Sequence, residues 1–201
     1  MHAAQATSPR AVRLILASAS PRRQRLLHEM GLSFDVRPSD VDEPLDPQLS
    51  PEQNVVGLAQ RKARAATASS GDVVLAADTM VVAANGAILG KPCDAADAER
   101  CLEQLSGTTH RVLTGVCLLR GDPAFESTQC CTTYITMRSI SAVERREYVE
   151  SGEPFGKSGG YAVQETGDRF VTTIDGSWSN VVGLPVKTVR QMLAELAQFD
   201  A

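Results

Sequence analysis

The segment Val12-Arg13-Leu14-Ile15-Leu16-Ala17-Ser18-Ala19-Ser20-Pro21-Arg22-Arg23-Gln24-Arg25-Leu26-Leu27-His28-Glu29-Met30-Gly31 decides the fold class. Val12 to Ala17 is a short apolar run, interrupted only by Arg13, which reads as a strand buried on both faces. Ser18 to Pro21 breaks the run. Arg22 to Met30 then reads as a helix with Leu26, Leu27 and Met30 on one face, closed by Gly31. A buried strand that feeds straight into a helix opens an α/β unit.

The rest of the chain repeats the alternation. Phe34 to Arg37 reads as a brief strand, and the acidic, proline-bearing stretch Asp40 to Pro51 as a loop. Ser50-Pro51-Glu52-Gln53 is a capping box with proline in the first turn, so a helix is expected from there to about Ser69. Val55, Leu58, Ala59, Lys62 and Ala66 share one face of it, which turns Lys62 toward the packed side. Val73 to Ala77 reads as a strand ending at Asp78 and resuming from Val81 to Ala84, before the hairpin signal Asn85-Gly86. Asp94 caps a helix to Leu105, and Val112 to Leu119 and Thr128 to Met137 read as two antiparallel strands. Ser141 to Glu144 is a second capping box opening a helix to Gly152, and Phe155 to Gly160 is a glycine-rich loop holding Lys157. Short strands are expected at Tyr161 to Gln164 and Phe170 to Ile174, and a last amphipathic helix at Gly183 to Phe199. The expectation is a mixed sheet flanked by helices on both sides, in one domain over residues 11–201 behind a flexible tail at 1–10.

Composition excludes several functions. The 201 residues suffice for one α/β domain, and a net charge of -4 speaks against a general nucleic-acid binder. No run of about 18 apolar residues exists to span a membrane, and the first ten residues lack the apolar core of a signal peptide. The five cysteines are odd in number, have no C-x-x-C spacing and no histidine partner nearby, so they read as buried, reduced thiols of a cytosolic protein. With only His2, His28 and His110, a histidine triad or a zinc hydrolase has too few members.

Charged residues at structurally awkward places carry the chemical signal. Arg22 and Arg23 sit in the first turn of a helix, where cations are unfavourable by about 0.3–1 kcal/mol each but where an anion is welcome. They are either a grip for phosphate or two solvated side chains. Asp78 follows an apolar strand, in position to bind a divalent metal or activate water. Asp42 and Glu43 offer a second carboxylate in the preceding loop. Lys62 on its apolar face and Lys91 in the stiff turn Gly90-Lys91-Pro92 are candidate phosphate partners. Gly86 to Lys91 is not a P-loop, because no Ser or Thr follows the lysine.

Taken in order, Ser18-Ala19-Ser20-Pro21-Arg22-Arg23, Gln60-Arg61-Lys62-Ala63, Ala76-Ala77-Asp78-Thr79, Gly90-Lys91-Pro92, Leu105-Ser106-Gly107, Gly159-Gly160-Tyr161-Ala162-Val163-Gln164 and Val182-Gly183-Leu184-Pro185 resemble the Maf family from about Leu14 to Leu196. The resemblance implies a cytoplasmic nucleoside triphosphate pyrophosphatase that uses a divalent metal such as Mg²⁺ or Mn²⁺. It implies a mixed twisted sheet with two lobes and a cleft between them, similar to the inosine-triphosphate pyrophosphatases, and commonly a homodimer. Asp78 would be the general base and a metal ligand, and Glu43 the second acidic position, with Asp42 one residue away. Ser18, Arg23, Lys62 and Lys91 match the phosphate-contacting positions. Arg22, Thr79 and Gln164 match the branch that prefers dTTP and UTP rather than the 7-methyl-GTP branch, with Glu165 departing from the glycine often found there. Some members are linked to septum formation, so a nucleotide-binding regulator is the alternative reading.

Overall fold

The computed structural model describes residues 12–66, 68–69 and 71–200. The expected tail at 1–10 lies outside the described residues. The chain runs β1 (Leu14–Leu16), α1 (Pro21–Glu29), β2 (Phe34–Val36), α2 (Pro51–Ala65), β3 (Val73–Val82), β4 (Ile88–Leu89), α3 (Ala95–Leu105), β5 (Thr109–Arg120), β6 (Phe125–Met137), α4 (Ala142–Glu150), β7 (Val171–Asp175), α5 (Trp178–Val182) and α6 (Val186–Phe199). The strands form one mixed sheet in the order β2-β1-β3-β5-β6-β7, with β4 added to the edge of β3. β1 is parallel to β2 and β3, whereas β4 and β5 are antiparallel to β3. The expected mixed α/β sheet is therefore present.

Alternation along β3 sends two sets of side chains to opposite faces. Leu75, Ala77 and Val81 enter the larger core, where they meet α1, α3, α5 and α6 through Leu27, Leu102, Val182 and Met192. Val74 and Ala76 join Ala59 and Ala63 of α2 in one small cluster on the other face, and Met80 and Val82 join Val55 and Leu58 in another. Asp78 falls between these two clusters in the alternation.

Four expectations need correcting. The strand does not stop at Asp78: β3 runs unbroken through it, because α2 supplies Lys62 within hydrogen-bond distance of the carboxylate. A buried charge with a partner does not end a strand. The capped helix stops at Ala65, short of Ser69, with Ala66 already extended. Tyr161 to Gln164 is not a strand; Gly159 and Gly160, both at positive φ, fold it into a loop followed by a 3-10 turn at Thr166–Phe170. The last helix, α6, starts at Val186 after Pro185 rather than at Gly183, which at φ 117° instead closes a separate short helix, α5. The cysteines are free, although Cys93 is exposed rather than buried.

The larger core holds one titratable pair with a consequence for stability. His110 on β5 is 1 % exposed and its Nε2 lies 2.7 Å from the Tyr161 hydroxyl. Its Nδ1 is buried with no partner, so an imidazolium would bury a proton without an acceptor. Burial lowers its pKa to about 4. Between pH 6.5, where the unfolded imidazole protonates, and pH 4, only the unfolded chain takes up this proton. The stabilisation is thus complete above pH 6.5 and falls by about 3 kcal/mol toward pH 4. Urea denaturation of the wild type and of His110→Leu at pH 7 and pH 4.5 checks it. The gap between their stabilities is expected to shift by that amount; a constant gap would show an imidazole that titrates normally.

Candidate active site

The sheet opens where β1 ends. β1 pairs with β3 only as far as Leu16 opposite Leu75, and β4 takes over the same edge only at Val81. The stretch of β3 left open between them borders a cavity of about 760 Å³ through Asp78, Thr79 and Met80. The turn after β1 walls one side with Ser18 to Arg23, and Ile88 to Lys91 wall the other. A ligand cleft beyond the carboxyl end of a strand, at a change in topology, is where open α/β sheets place their sites. All of Ser18, Arg22, Arg23, Glu43, Lys62, Asp78, Thr79, Lys91 and Gln164 line this one cavity.

On the α2 side of β3, one ammonium holds two carboxylates. Lys62 Nζ lies 2.6 Å from Asp78 Oδ1 and 2.5 Å from Glu43 Oε1. The Lys62 and Asp78 side chains are 12 % and 11 % exposed, so this contact is shielded from bulk water. Burial pushes the Glu43 carboxyl up, but Lys62, with Lys91 and Arg23 farther off, outweighs it and holds the pKa below the usual carboxylate value. Glu43 lines the cavity and Asp42 does not.

On the other face of β3, Arg23 joins three elements. Its Nε donates to the Gly183 carbonyl at 2.8 Å, one terminal nitrogen to Ser18 Oγ at 3.1 Å and the other to Thr79 Oγ1 at 3.1 Å. A guanidinium carries five N–H groups, so three such bonds leave donors for a ligand. Burial is the main influence on its pKa and lowers it, with Asp78 and Glu43 opposing. Thr79 Oγ1 also meets Thr114 Oγ1 at 3.0 Å. Thr79 therefore sits in the Arg23 network rather than beside Asp78, because neighbours in a strand face opposite ways. Arg22 is half-buried and Lys91 exposed, both at the cavity wall.

Two polar groups in the wall have nothing to bond. Gln164 Nε2 and Ser39 Oγ are buried without hydrogen-bond partners. A ligand that supplies an acceptor for the amide would remove that cost, about 1–3 kcal/mol for one unmet group. Sequence reasoning singled out Gln164 but missed Thr114, Ser158 and Ser39. Thr114 stands opposite Thr79 in the β3–β5 register, so pairing the strands would have exposed it. Ser158, whose hydroxyl donates to the Thr79 carbonyl at 3.1 Å, carries no local signal.

The donor set fits a small divalent cation. Glu43 and Asp78 bring hard carboxylate oxygens to one point, and Mg²⁺ is commonly held by one or two carboxylates with substrate phosphates completing its shell. No group of three or more His, Cys, Asp or Glu side chains is gathered for a metal among the described residues.

Comparison with known proteins agrees with this architecture. A protein of Anaeromyxobacter dehalogenans (strain 2CP-C) named dTTP/UTP pyrophosphatase is 48 % identical over 91 % of this chain and 93 % of its own length. A protein of the same name from Bdellovibrio bacteriovorus is 43 % identical over 90 % and 97 %. Among solved structures, a HAM1 protein from Coxiella burnetii shares the fold, with a TM-score of 0.52 at 18 % identity over 92 % of this chain and 99 % of that one. Residues 13–196, which run from β1 into α6 and include the whole cavity wall, match the profile described as Maf-like protein, and the chain belongs to the Maf family.

Proposed function

We propose that the chain is a nucleoside triphosphate pyrophosphatase that cleaves dTTP and UTP to the monophosphate and pyrophosphate. The observation that carries this reading is the convergence of Arg23, Lys62 and Lys91 with the Asp78 and Glu43 carboxylates around one cavity, whose wall also holds the unpartnered Gln164 amide. The names of the two relatives support the same choice of substrate. Free thiols throughout suit a reducing cytoplasm.

In this reading, Arg23, Lys62, Lys91 and the Ser18 hydroxyl bind the triphosphate and offset its charge as negative charge builds on the leaving group. Asp78 takes a proton from the water whose oxygen attacks the α-phosphorus. The bond from that phosphorus to the bridging oxygen breaks, and pyrophosphate leaves. A divalent cation held by Glu43 and Asp78 would neutralise phosphate charge. Arg22, Thr79 and Gln164 face the nucleoside end. The Gln164 amide, both donor and acceptor, matches the imide edge of uracil or thymine.

The test is a panel of purified triphosphates with Mg²⁺ or Mn²⁺, read by pyrophosphate release. dTTP and UTP are expected to lead it by at least tenfold in kcat/KM over ATP, GTP and CTP. Binding across the panel without hydrolysis would favour the regulator instead, and a purine at its head would overturn the base assignment.

A further inference from the structure

The loop that carries Gln164 has no strand pairing of its own, yet it holds a fixed shape through one carboxylate. Glu153 follows α4 and accepts four hydrogen bonds. Its Oε1 takes the Tyr148 hydroxyl at 2.8 Å and the Gly167 N–H at 3.0 Å. Its Oε2 takes the Thr166 N–H at 3.1 Å and the Thr166 hydroxyl. Two backbone amides shortly after Gln164, those of Thr166 and Gly167, are thus bound to a side chain 13 and 14 positions earlier.

The anchor is itself anchored. The Tyr148 ring packs edge-on to Phe170 at 5.3 Å, with Arg169 lying over both rings. Gly167 has no room for a side chain: a Cβ there would meet the Tyr148 hydroxyl at 2.7 Å and the Ala162 carbonyl at 2.9 Å. A second tie closes the loop from the cavity side. Lys157 Nζ donates to the Glu153 carbonyl and pairs with Glu165 Oε2 at 3.0 Å, and its side chain is only 12 % exposed. Gln164 is therefore followed by two bonded residues, Glu165 tied to Lys157 and Thr166 tied to Glu153.

We infer that Glu153 is a positioning residue for base selection: it fixes the Gln164–Gly167 segment so that the Gln164 amide stands in the cavity wall, and the Lys157–Glu165 pair completes the frame. This rests on the reading of Gln164 as a base contact. Glu153 does not line the cavity and takes no part in the chemistry at Asp78. Its effect is on which triphosphate is accepted.

The experiment measures kcat and KM for dTTP, UTP, CTP and GTP in the wild type, Glu153→Gln and Glu165→Gln. Glu153→Gln keeps the shape but replaces one acceptor oxygen by a donor, which must then face an N–H or hydroxyl donor. It is expected to raise KM for dTTP and UTP about tenfold, leave kcat within about threefold, and shrink the preference over CTP and GTP by a similar factor. Glu165→Gln lies at the surface and does not threaten the fold; a two- to fivefold change in the same direction is expected. A Glu153→Gln protein that loses kcat equally for all four substrates, or both variants retaining the wild-type preference, would overturn the inference. If the wild type itself shows no pyrimidine preference, the base assignment fails first, and the two failures are told apart by that one column of the panel.

Discussion

Asp78→Asn is expected to lower the turnover of dTTP by about 10³-fold, within the 10²–10⁴ range that a positioned general base contributes. The substitution keeps the size of the side chain and removes its ability to accept a proton at neutral pH. The fold should survive it. Lys62 keeps Glu43 at 2.5 Å, so its ammonium is not left without a counter-charge. An asparagine oxygen can still accept from Lys62, and the loss of stability should not exceed the roughly 1.5–3 kcal/mol of one hydrogen bond to a charged group. A denaturation curve run beside the kinetics separates lost chemistry from lost structure. Substrate binding, which draws on Arg23, Lys62 and Lys91, should weaken far less than turnover. A variant that retains more than a tenth of the wild-type rate would remove Asp78 from the role of base.

The architecture around Asp78 was legible in the sequence to different depths. Helical spacing alone turned Lys62 toward the sheet, because Val55, Leu58 and Ala59 mark the buried face of α2. The continuity of β3 through Asp78 was not legible, since a carboxylate in a run of Val, Leu and Ala reads as a terminator until its partner is known. That partner comes from a helix earlier in the chain, and only packing brings the two together. The placement of Arg23 was half legible. Its place in the first turn of α1 signalled an anion, yet its bond to the Gly183 carbonyl spans 160 positions and has no local trace. The segment Tyr161 to Gln164 misled for a physical reason. Tyr161 and Val163 are buried while Ala162 and Gln164 are only partly so, the pattern of a half-buried strand, but among the described residues no strand of the sheet pairs with them. The Glu153 carboxylate and two glycines at positive φ set that loop instead. The short helix α5 was missed and the start of α6 misplaced because Gly183, taken as a helix start, is the residue that ends α5.

Gly115→Ala is expected to damage both stability and turnover, against what backbone propensity alone predicts. In a strand, alanine for glycine should stabilise by about 0.5–1 kcal/mol through reduced chain entropy. Here the packing outweighs that gain. Gly115 on β5 stands opposite Asp78 in the register, and α2 lies directly on it. A Cβ at Gly115 would fall 2.4 Å from the Val55 carbonyl oxygen and 2.8 Å from the Val56 nitrogen. Both are backbone atoms, so no side chain can turn away and the helix itself must lift. Overpacking of this kind costs about 1–3 kcal/mol. The lift also reaches the site, because the same helix carries Lys62 two turns later, and its 2.6 Å contact with Asp78 depends on where the helix rests. A displacement of about 1 Å at a catalytic constellation can cost about 10²-fold in rate, and a loss of that order in kcat is the expected result. Gly57→Ala is the control. It lies on the same helix, where a Cβ meets nothing closer than Arg61 at 3.8 Å, and it should leave the rate unchanged while holding or raising the melting temperature. If Gly115→Ala melts and turns over like the wild type, α2 is not seated on β5 as described, and the placement of Lys62 against Asp78 loses its structural support.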